Sequence, residues 1–431
     1  MARPPAIAFL TLGCPKNEVD SDRMRASVLA STYRLADDLD EADVVVLNTC
    51  GFITDAVEES VGVALDLAEW RDERPGRSLV VTGCMVSRYG DALADAMPEA
   101  DALIPVADEP SLLAVLERLT GASAGASRGP ARTGGGVSEY LQVSDGCFRS
   151  CAYCTIPAIR GPYRSRPLDE LTAEASLLVS RGAKELVLIG QDTSSWGRDF
   201  EGDADITDVV RSIASTPGLE WLRLMYVQPD TVTPRLIETM LSLPPVRHYL
   251  DMPLQHASAG ILRAMRRTGS GDGFLGSIAE LRSAMPDIVL RSTFIAGFPG
   301  ETEEDVDTLL DFIAEAQLDY VGVFPYSAEE GTSAAELPGQ VPDEERFERA
   351  NRVREAADEV STARATRLIG STLDVLSEGE DAEGFAVGRW SGQAPEVDGY
   401  VMLDRVVDAG RIIRARIDSA YGYDLEGEVL E

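Results

Sequence analysis

"DGCFRSCAYCTIPAIRG", residues 145–161, places Cys147, Cys151 and Cys154 inside eight residues and then supplies no further cysteine. The triplet C-x-x-x-C-x-x-C follows an apolar run, "YLQVSDG", that reads as the first strand of a repeating β/α region. The thiols therefore fall in a strand-end loop, the face on which such barrels carry their chemistry. Structural zinc is closed by four ligands, and no fourth Cys or nearby His supplies one here. Three thiolates can hold a four-iron, four-sulfur cluster and leave one iron open to a small molecule.

Outward from that loop, residues 137 to about 340 contain six strand candidates separated by helix-length stretches: "YLQVSDG", "ELVLIG", "WLRLMY", "HYLDMP", "IVLRSTFIAG" and "VGVFPYS". Six βα repeats predict an open, partial (β/α) barrel over 137–366, with an amphipathic helix at about 343–368 leading out. Residues 6–119 alternate continuous apolar runs ("IAFLTL", "ADVVVLN", "RSLVVTG") with amphipathic stretches, the pattern of buried parallel strands with crossover helices. This predicts a doubly wound α/β domain. Between the two lies "GASAGASRGPARTGGG", without apolar periodicity, so residues 120–136 are expected to be a flexible linker. From 367 to 431, short β-rich pieces separated by Gly, Asp and Pro predict a small antiparallel β-barrel. The fold class is α/β multidomain, as expected of a 431-residue chain that exceeds the about 250 to 300 residues of a single core.

Composition narrows the function classes. The apolar runs fall far short of the roughly 20 residues a membrane helix needs, and no basic-then-apolar leader opens the chain, so a cytoplasmic location with no membrane partner is expected. Six cysteines are too sparse for a disulfide scaffold, and two His exclude an imidazole-rich metal centre. The net charge is −34, from 73 acidic and 39 basic residues, which argues against phosphate gripping and for a basic partner. The tail from 367 has six Arg, no Lys and fourteen Asp plus Glu, a net of −8.

The other three cysteines share one position. Cys14 follows "IAFLTLG", Cys50 follows "VVVLNT" and Cys84 follows "VVTG", each just past a predicted parallel strand, where open α/β sheets place their ligands. Three sequence-distant thiols are thus expected to converge on zinc or an iron–sulfur cluster, again one ligand short.

The central triplet, with aromatic Tyr153 before its last Cys, resembles the radical S-adenosylmethionine (SAM) enzymes. With the N-terminal triplet and β-rich tail, the whole chain is similar to the radical SAM methylthiotransferase family, which combines an auxiliary-cluster domain, a radical core and a TRAM barrel. "LGCPKNEVDSD", "GQDTSSWG", "LDMPLQHASAGILRAMRR", "FIAGFPGETEED" and "VGVFPYSAEEGTSA" are closest to its RimO branch, which modifies a ribosomal protein; the tRNA-modifying branch typically has Gln-Met after the first Cys and Asn after "GQ".

The resemblance implies two 4Fe–4S clusters, an auxiliary one on Cys14, Cys50 and Cys84 and a radical one on Cys147, Cys151 and Cys154. It implies two uses of SAM: one molecule gives its methyl group to a sulfur carried at the auxiliary cluster, and another yields a 5′-deoxyadenosyl radical. The target would be the β-carbon of an aspartate in small-subunit ribosomal protein S-twelve, with an electron donor and a sulfur source as further partners. The tail's negative charge agrees with a basic ribosomal protein and makes tRNA the poorer fit.

Candidate SAM or substrate contacts are Tyr153, Gln191, Asp192, Gln255 and Arg291, with Gln228 and His256 also at or just past strand ends and Thr293, like Arg291, within the fifth strand. "GFPGE" serves equally as a plain helix start with Thr302 as N-cap and as glycines that let the backbone approach a ligand; His256 reads as a structural histidine before a general base. Arg160, Arg164 and Arg166 in "RGPYRSRP" are candidates to attract an acidic target residue or the cofactor carboxylate. Two competing readings are a non-catalytic metal-cluster module and an enzyme spending the radical on another modification; about eight irons, rather than one or two zincs, excludes the first.

Overall fold

The computed structural model describes residues 3–125 and 131–430. The first sheet holds five parallel strands, β1 (Ala6–Thr11), β2 (Arg34–Leu35), β3 (Val44–Thr49), β4 (Ser78–Gly83) and β5 (Ala102–Pro105), in the order β2-β1-β3-β4-β5; the edge strands β2 and β5 are additional, and β1, β3 and β4 are the three apolar runs. Their continuous hydrophobicity has a simple cause. Ile7, Val46 and Val80 pack on one face with Met24, Val28, Leu112 and Leu116; Val45, Leu47, Leu79 and Val81 pack on the other with Leu67, Ala68 and Met85. Both faces are covered, so neither can be polar. The helices that follow β1, β3 and β4 are α1 (Pro15–Leu29), α2 (Thr54–Asp72) and α3 (Cys84–Ala96). Strand order reverses at β1, so the crevice of this sheet opens at the carboxyl ends of β1 and β3.

The stretch expected to be a flexible linker is partly tied down. Ala124 is buried in the first sheet's core, and Tyr33 donates its hydroxyl to the Ala122 carbonyl at 2.7 Å. Arg132, 2% exposed, donates to Asp22 of α1 at 2.5 Å. The middle of the predicted linker, 126–130, lies outside the described residues.

A second sheet holds β6 (Ser138–Gln142), β7 (Glu185–Ile189), β8 (Trp221–Leu224), β9 (Val246–Asp251), β10 (Val289–Ala296) and β11 (Tyr320–Pro325), all parallel and in sequence order. All six sequence candidates are strands. Leu141, Leu186, Leu188, Leu222, Leu224, Leu250 and Leu290 pack beneath the crossover helices. The opposite face carries polar and charged side chains: Tyr140 and Arg223 flank Val187 in one row, and Asp251 pairs in register with Arg291. The exit helix spans Asp343–Thr366.

The tail closes a barrel from β12 (Thr372–Glu380), β13 (Ala386–Trp390), β14 (Val401–Leu403), β15 (Ile412–Tyr421) and β16 (Asp424–Val429). Four junctions are antiparallel and the fifth, β14 to β16, is parallel. A ring with an odd number of strands cannot alternate direction all the way round, so one parallel junction is obligatory.

The chain divides into two compact units. One comprises Met1–Gly134, Ser144–Ser150 and Cys154–Arg164; the other comprises Gly135–Val143, Cys151–Tyr153 and Ser165–Glu431. The segments flanking Cys151 thus group with the first sheet, although sequence pattern assigns all of 137–366 to the core. The C-terminal barrel belongs to the same unit as the second sheet. Segment 389–398 covers that sheet's polar face: Arg389 and Arg223 both bind Glu185, Tyr249 donates to Asp398 at 2.6 Å, and Arg223 reaches the Ser391 carbonyl at 3.1 Å.

Candidate functional site

In the first unit, Cys14 is the N-cap of α1, Cys50 follows the last residue of β3, and Cys84 is the first residue of α3. Because β1, β3 and β4 are neighbours in the sheet, their end loops lie side by side. Two glycines bring them together. A Cβ added to Gly13, whose φ is +102°, would lie 3.0 Å from Cys50 Cβ and 3.4 Å from its Sγ; one added to Gly51 would lie 2.6 Å from the Met85 nitrogen and 2.8 Å from the Cys84 carbonyl carbon. At Gly51 only the hydrogen of glycine permits the approach to backbone, and at Gly13 the positive φ favours glycine.

Asn17 sits wholly buried among the thiols. Its Nδ2 donates to Asn48 Oδ1 and to the Thr49 carbonyl, both at 3.0 Å. That fixes Oδ1 toward the sulfurs, 3.4 Å from Cys14 Sγ and 3.8 Å from Cys84 Sγ. Burial pushes the Cys84 thiol up to about 12, with Arg160 opposing the rise and Cys14 and Cys50 adding to it. Burial also raises Cys50. A metal must displace these protons, because the thiolate is the ligand.

The arginine run after the central triplet divides. Arg160, with a side chain 2% exposed, binds Asp20 at 2.7 Å and donates to Cys84 Sγ at 3.5 Å. In the second unit Arg166 binds Glu174 at 2.7 Å and the Gln142 carbonyl at 2.9 Å. Two of the three guanidinium groups expected to attract an acidic target are therefore committed inside their own units, and only Arg164 is exposed.

Of the central triplet, Cys147 and Cys154 lie in the first unit and Cys151 in the second. Segment Cys151–Tyr153 is pinned by Ala152, which donates to the Met265 carbonyl at 2.9 Å and accepts from Ala334 at 2.8 Å; Tyr153 packs beside Ile261, Met265 and Phe298. Arg267 places Nη1 3.8 Å from Cys151 Sγ, while its Nη2 is held by Gln228 Oε1 at 3.0 Å and the Pro253 carbonyl at 2.6 Å.

The strand-end candidates differ in what they have free. Past β7, Gln191 has a buried Oε1, and Thr193 a buried hydroxyl, with no hydrogen-bond partner. Asp192, fully buried, accepts from Ser194 and Ser195 at 3.0 and 2.8 Å and so shapes the turn. Gln255 has φ +75°, and its backbone pairs on both sides with β10, taking the Thr293 carbonyl and giving its own to Ile295, each at 2.8 Å. His256 accepts at Nδ1 from Ser258 N–H at 2.9 Å and faces Glu301 with Nε2 at 3.3 Å, where Nε2 is buried without a hydrogen-bond partner. Glu301 also accepts from the Gly297 amide at 2.8 Å, and Thr302 with Asp305 forms a capping box, so "GFPGE" is a helix start. Arg291 is bound by Asp251 at 3.0 Å and Asp398 at 3.2 Å. Its guanidinium is occupied in the joint with the C-terminal barrel.

Comparison with known proteins follows this division. Residues 6–105 match the model of "Uncharacterized protein family UPF0004", 141–313 the radical SAM superfamily and 369–430 the TRAM domain. Curated relatives described as ribosomal protein uS12 methylthiotransferase RimO include one from Geobacter sulfurreducens, 40% identical with 98% of each chain covered, and one from Moorella thermoacetica, 42% identical with 98% of this chain and 99% of the relative covered. This chain belongs to the RimO methylthiotransferase family. Among solved structures, the radical SAM methyltransferase TsrM from Kitasatospora setae superposes with a TM-score of 0.55 at 14% identity, covering 75% of this chain and 74% of that one; at that identity it shares the fold.

For a RimO-family protein, a radical SAM enzyme that transfers a sulfur-containing group, the residues present suit a cluster and a polar cofactor. Thiols converge in the first unit, and Gln191 and Thr193 hold unspent polar atoms past β7. Among the described residues no three Cys, His, Asp or Glu gather tightly enough to grip one metal ion, whereas a cluster spreads its ligands over separate irons. Sequence reasoning did not single out Asn17 or Arg267. Each is a polar residue aimed at a cysteine sulfur, and its only sequence signal is its nearness to "GC" or "QHAS".

Proposed function

We propose that the protein methylthiolates the β-carbon of a specific aspartate of ribosomal protein uS12, using two 4Fe–4S clusters and two molecules of SAM, in the cytoplasm. The observation that carries this reading is the pair of cysteine triplets within a chain that aligns from end to end with its RimO relatives. When bound, the two clusters would supply a methylated sulfur and an adenosyl radical. Cys14, Cys50 and Cys84 would hold the first cluster, with Asn17 and Arg160 ordering the thiols; Cys147, Cys151 and Cys154 would hold the second, with Arg267 beside Cys151. Gln191 would accept a hydrogen bond from the cofactor at Oε1, Thr193 would meet it with its hydroxyl, Tyr153 would pack against it, Gln255 would line its mouth, and Asp192 would hold the turn that presents Gln191. Arg291 would act through the interdomain joint. An electron donor and a sulfur source complete the partners.

The surface supports a basic protein target over tRNA. On the outer face of the C-terminal barrel Arg416 is already paired with Asp418 at 3.1 Å and Glu428 at 2.6 Å. The deciding experiment replaces Cys14, Cys50 and Cys84 with Ala together. Cleavage of SAM should persist while the methylthio mass on uS12 disappears; unchanged modification of uS12, or modification of tRNA instead, overturns the reading.

A further inference from the structure

The mechanism leaves Arg160 with more partners than an ion pair requires. We infer that Arg160 sets the reduction potential of the N-terminal cluster and positions two of its ligands, an inference that rests on the cluster reading above. Its guanidinium binds Asp20 Oδ2 at 2.7 Å and faces Asp145 Oδ1 at 3.7 Å, and its Nη2 donates to Cys84 Sγ at 3.5 Å. Asp20 lies on α1, which Cys14 caps, and Cys84 begins α3. One buried fork therefore holds both helices whose first turns carry ligands. Arg160 is also six residues beyond Cys154, and Asp145 two before Cys147, so the grip is made by the segments on either side of the central triplet.

A guanidinium that only neutralised Asp20 would have no reason to turn an N–H toward sulfur. Hydrogen bonds and positive charge at ligand sulfurs favour the electron-rich, reduced cluster and raise its potential. Removing Arg160 deletes that donor and leaves Asp20 and Asp145 uncompensated; both effects lower the potential. Removing Asp20 acts in the opposite direction, because it leaves the same guanidinium less neutralised.

The test uses the full chain with Cys147, Cys151 and Cys154 replaced by Ala, so that only the N-terminal cluster loads, and follows the reduced cluster by electron paramagnetic resonance during a redox titration. Relative to that background, R160M should shift the midpoint to more negative potential, D20N to more positive potential, and R160K should fall between R160M and the background. Failure of the background itself to load iron and sulfide would refute the cluster reading. If it loads, and D20N and R160K both keep the background potential, the inference fails, whether or not R160M still folds.

Discussion

Glu185 is completely buried yet receives two arginines, Arg223 at 2.9 Å and Arg389 at 2.6 Å. Burial alone would raise its carboxyl; Arg389 and Arg223 outweigh it and hold the group down at about 2, against an ordinary 4.5. A folded pKa below the unfolded one contributes stability above pH 4.5 that is lost as pH falls toward 2, here about 3 kcal/mol. Asp398 has the opposite sign. Burial raises it to about 6 from 3.8, although Arg291 and Tyr249 oppose the rise, so its contribution falls by about 3 kcal/mol as pH climbs from 3.8 to 6. Denaturant unfolding across pH should show both: E185Q flattens the loss below pH 4.5 relative to wild type, and D398N removes the decline between 3.8 and 6. Identical pH profiles for all three proteins would refute the assignment. Neither carboxylate was legible as special in the sequence, because Glu185 stands in an ordinary strand, "ELVLIG", and meets Arg389 across 204 residues.

At the scale of elements, the strand–loop–helix joints carry the chemistry, and their glycines set how closely the joints approach. G51A would force the β3 loop from the first turn of α3, an overpacking that typically costs about 1–3 kcal/mol. The expected result is a folded protein whose iron content falls to that of the variant lacking Cys14, Cys50 and Cys84, with SAM cleavage retained; full iron content would show that the joint tolerates the methyl. The joints were readable because a buried parallel strand announces itself by a continuous apolar run, and a cysteine at its carboxyl end is found by counting. All six strands of the second sheet and the exit helix were found in this way. Asn17 and Arg267 were not, and Arg160 was marked only as a candidate for an acidic target, since periodicity says which face a residue lies on and nothing about a distant side chain it will touch. Composition likewise ignores single anchors at the edges of the Gly- and Ala-rich stretch, such as Arg132 on Asp22.

At the scale of the molecule, the charge of −34 makes binding of a basic ribosomal protein an ionic-strength-dependent association. Raising salt from 0.05 to about 0.5 M should weaken uS12 binding and leave SAM cleavage unaffected, as screening shortens to a few ångströms; salt-independent binding would contradict this. Sequence pattern marks the C-terminal barrel as a domain of its own, which the TRAM match bears out, and hydrogen bonds join it to the second sheet. Arg389, 2% exposed, donates to Glu185 and Ser138 of the second sheet, both at 2.6 Å, and to Glu378 and the Gln393 carbonyl of its own barrel at 2.7 and 2.8 Å. Withdrawing it leaves a buried carboxylate with one arginine, a loss that typically costs about 3–5 kcal/mol. If the barrel is part of the core, R389M should lower amide-exchange protection in β12 and β15 and in β6 and β7 by the same amount, because the elements open together. If the barrel is an independent appendage, β12 and β15 alone should lose protection. The first outcome is expected, because Glu185 lies on β7 and its second guanidinium, Arg223, also holds the Ser391 carbonyl, so loosening either side strips partners from the other.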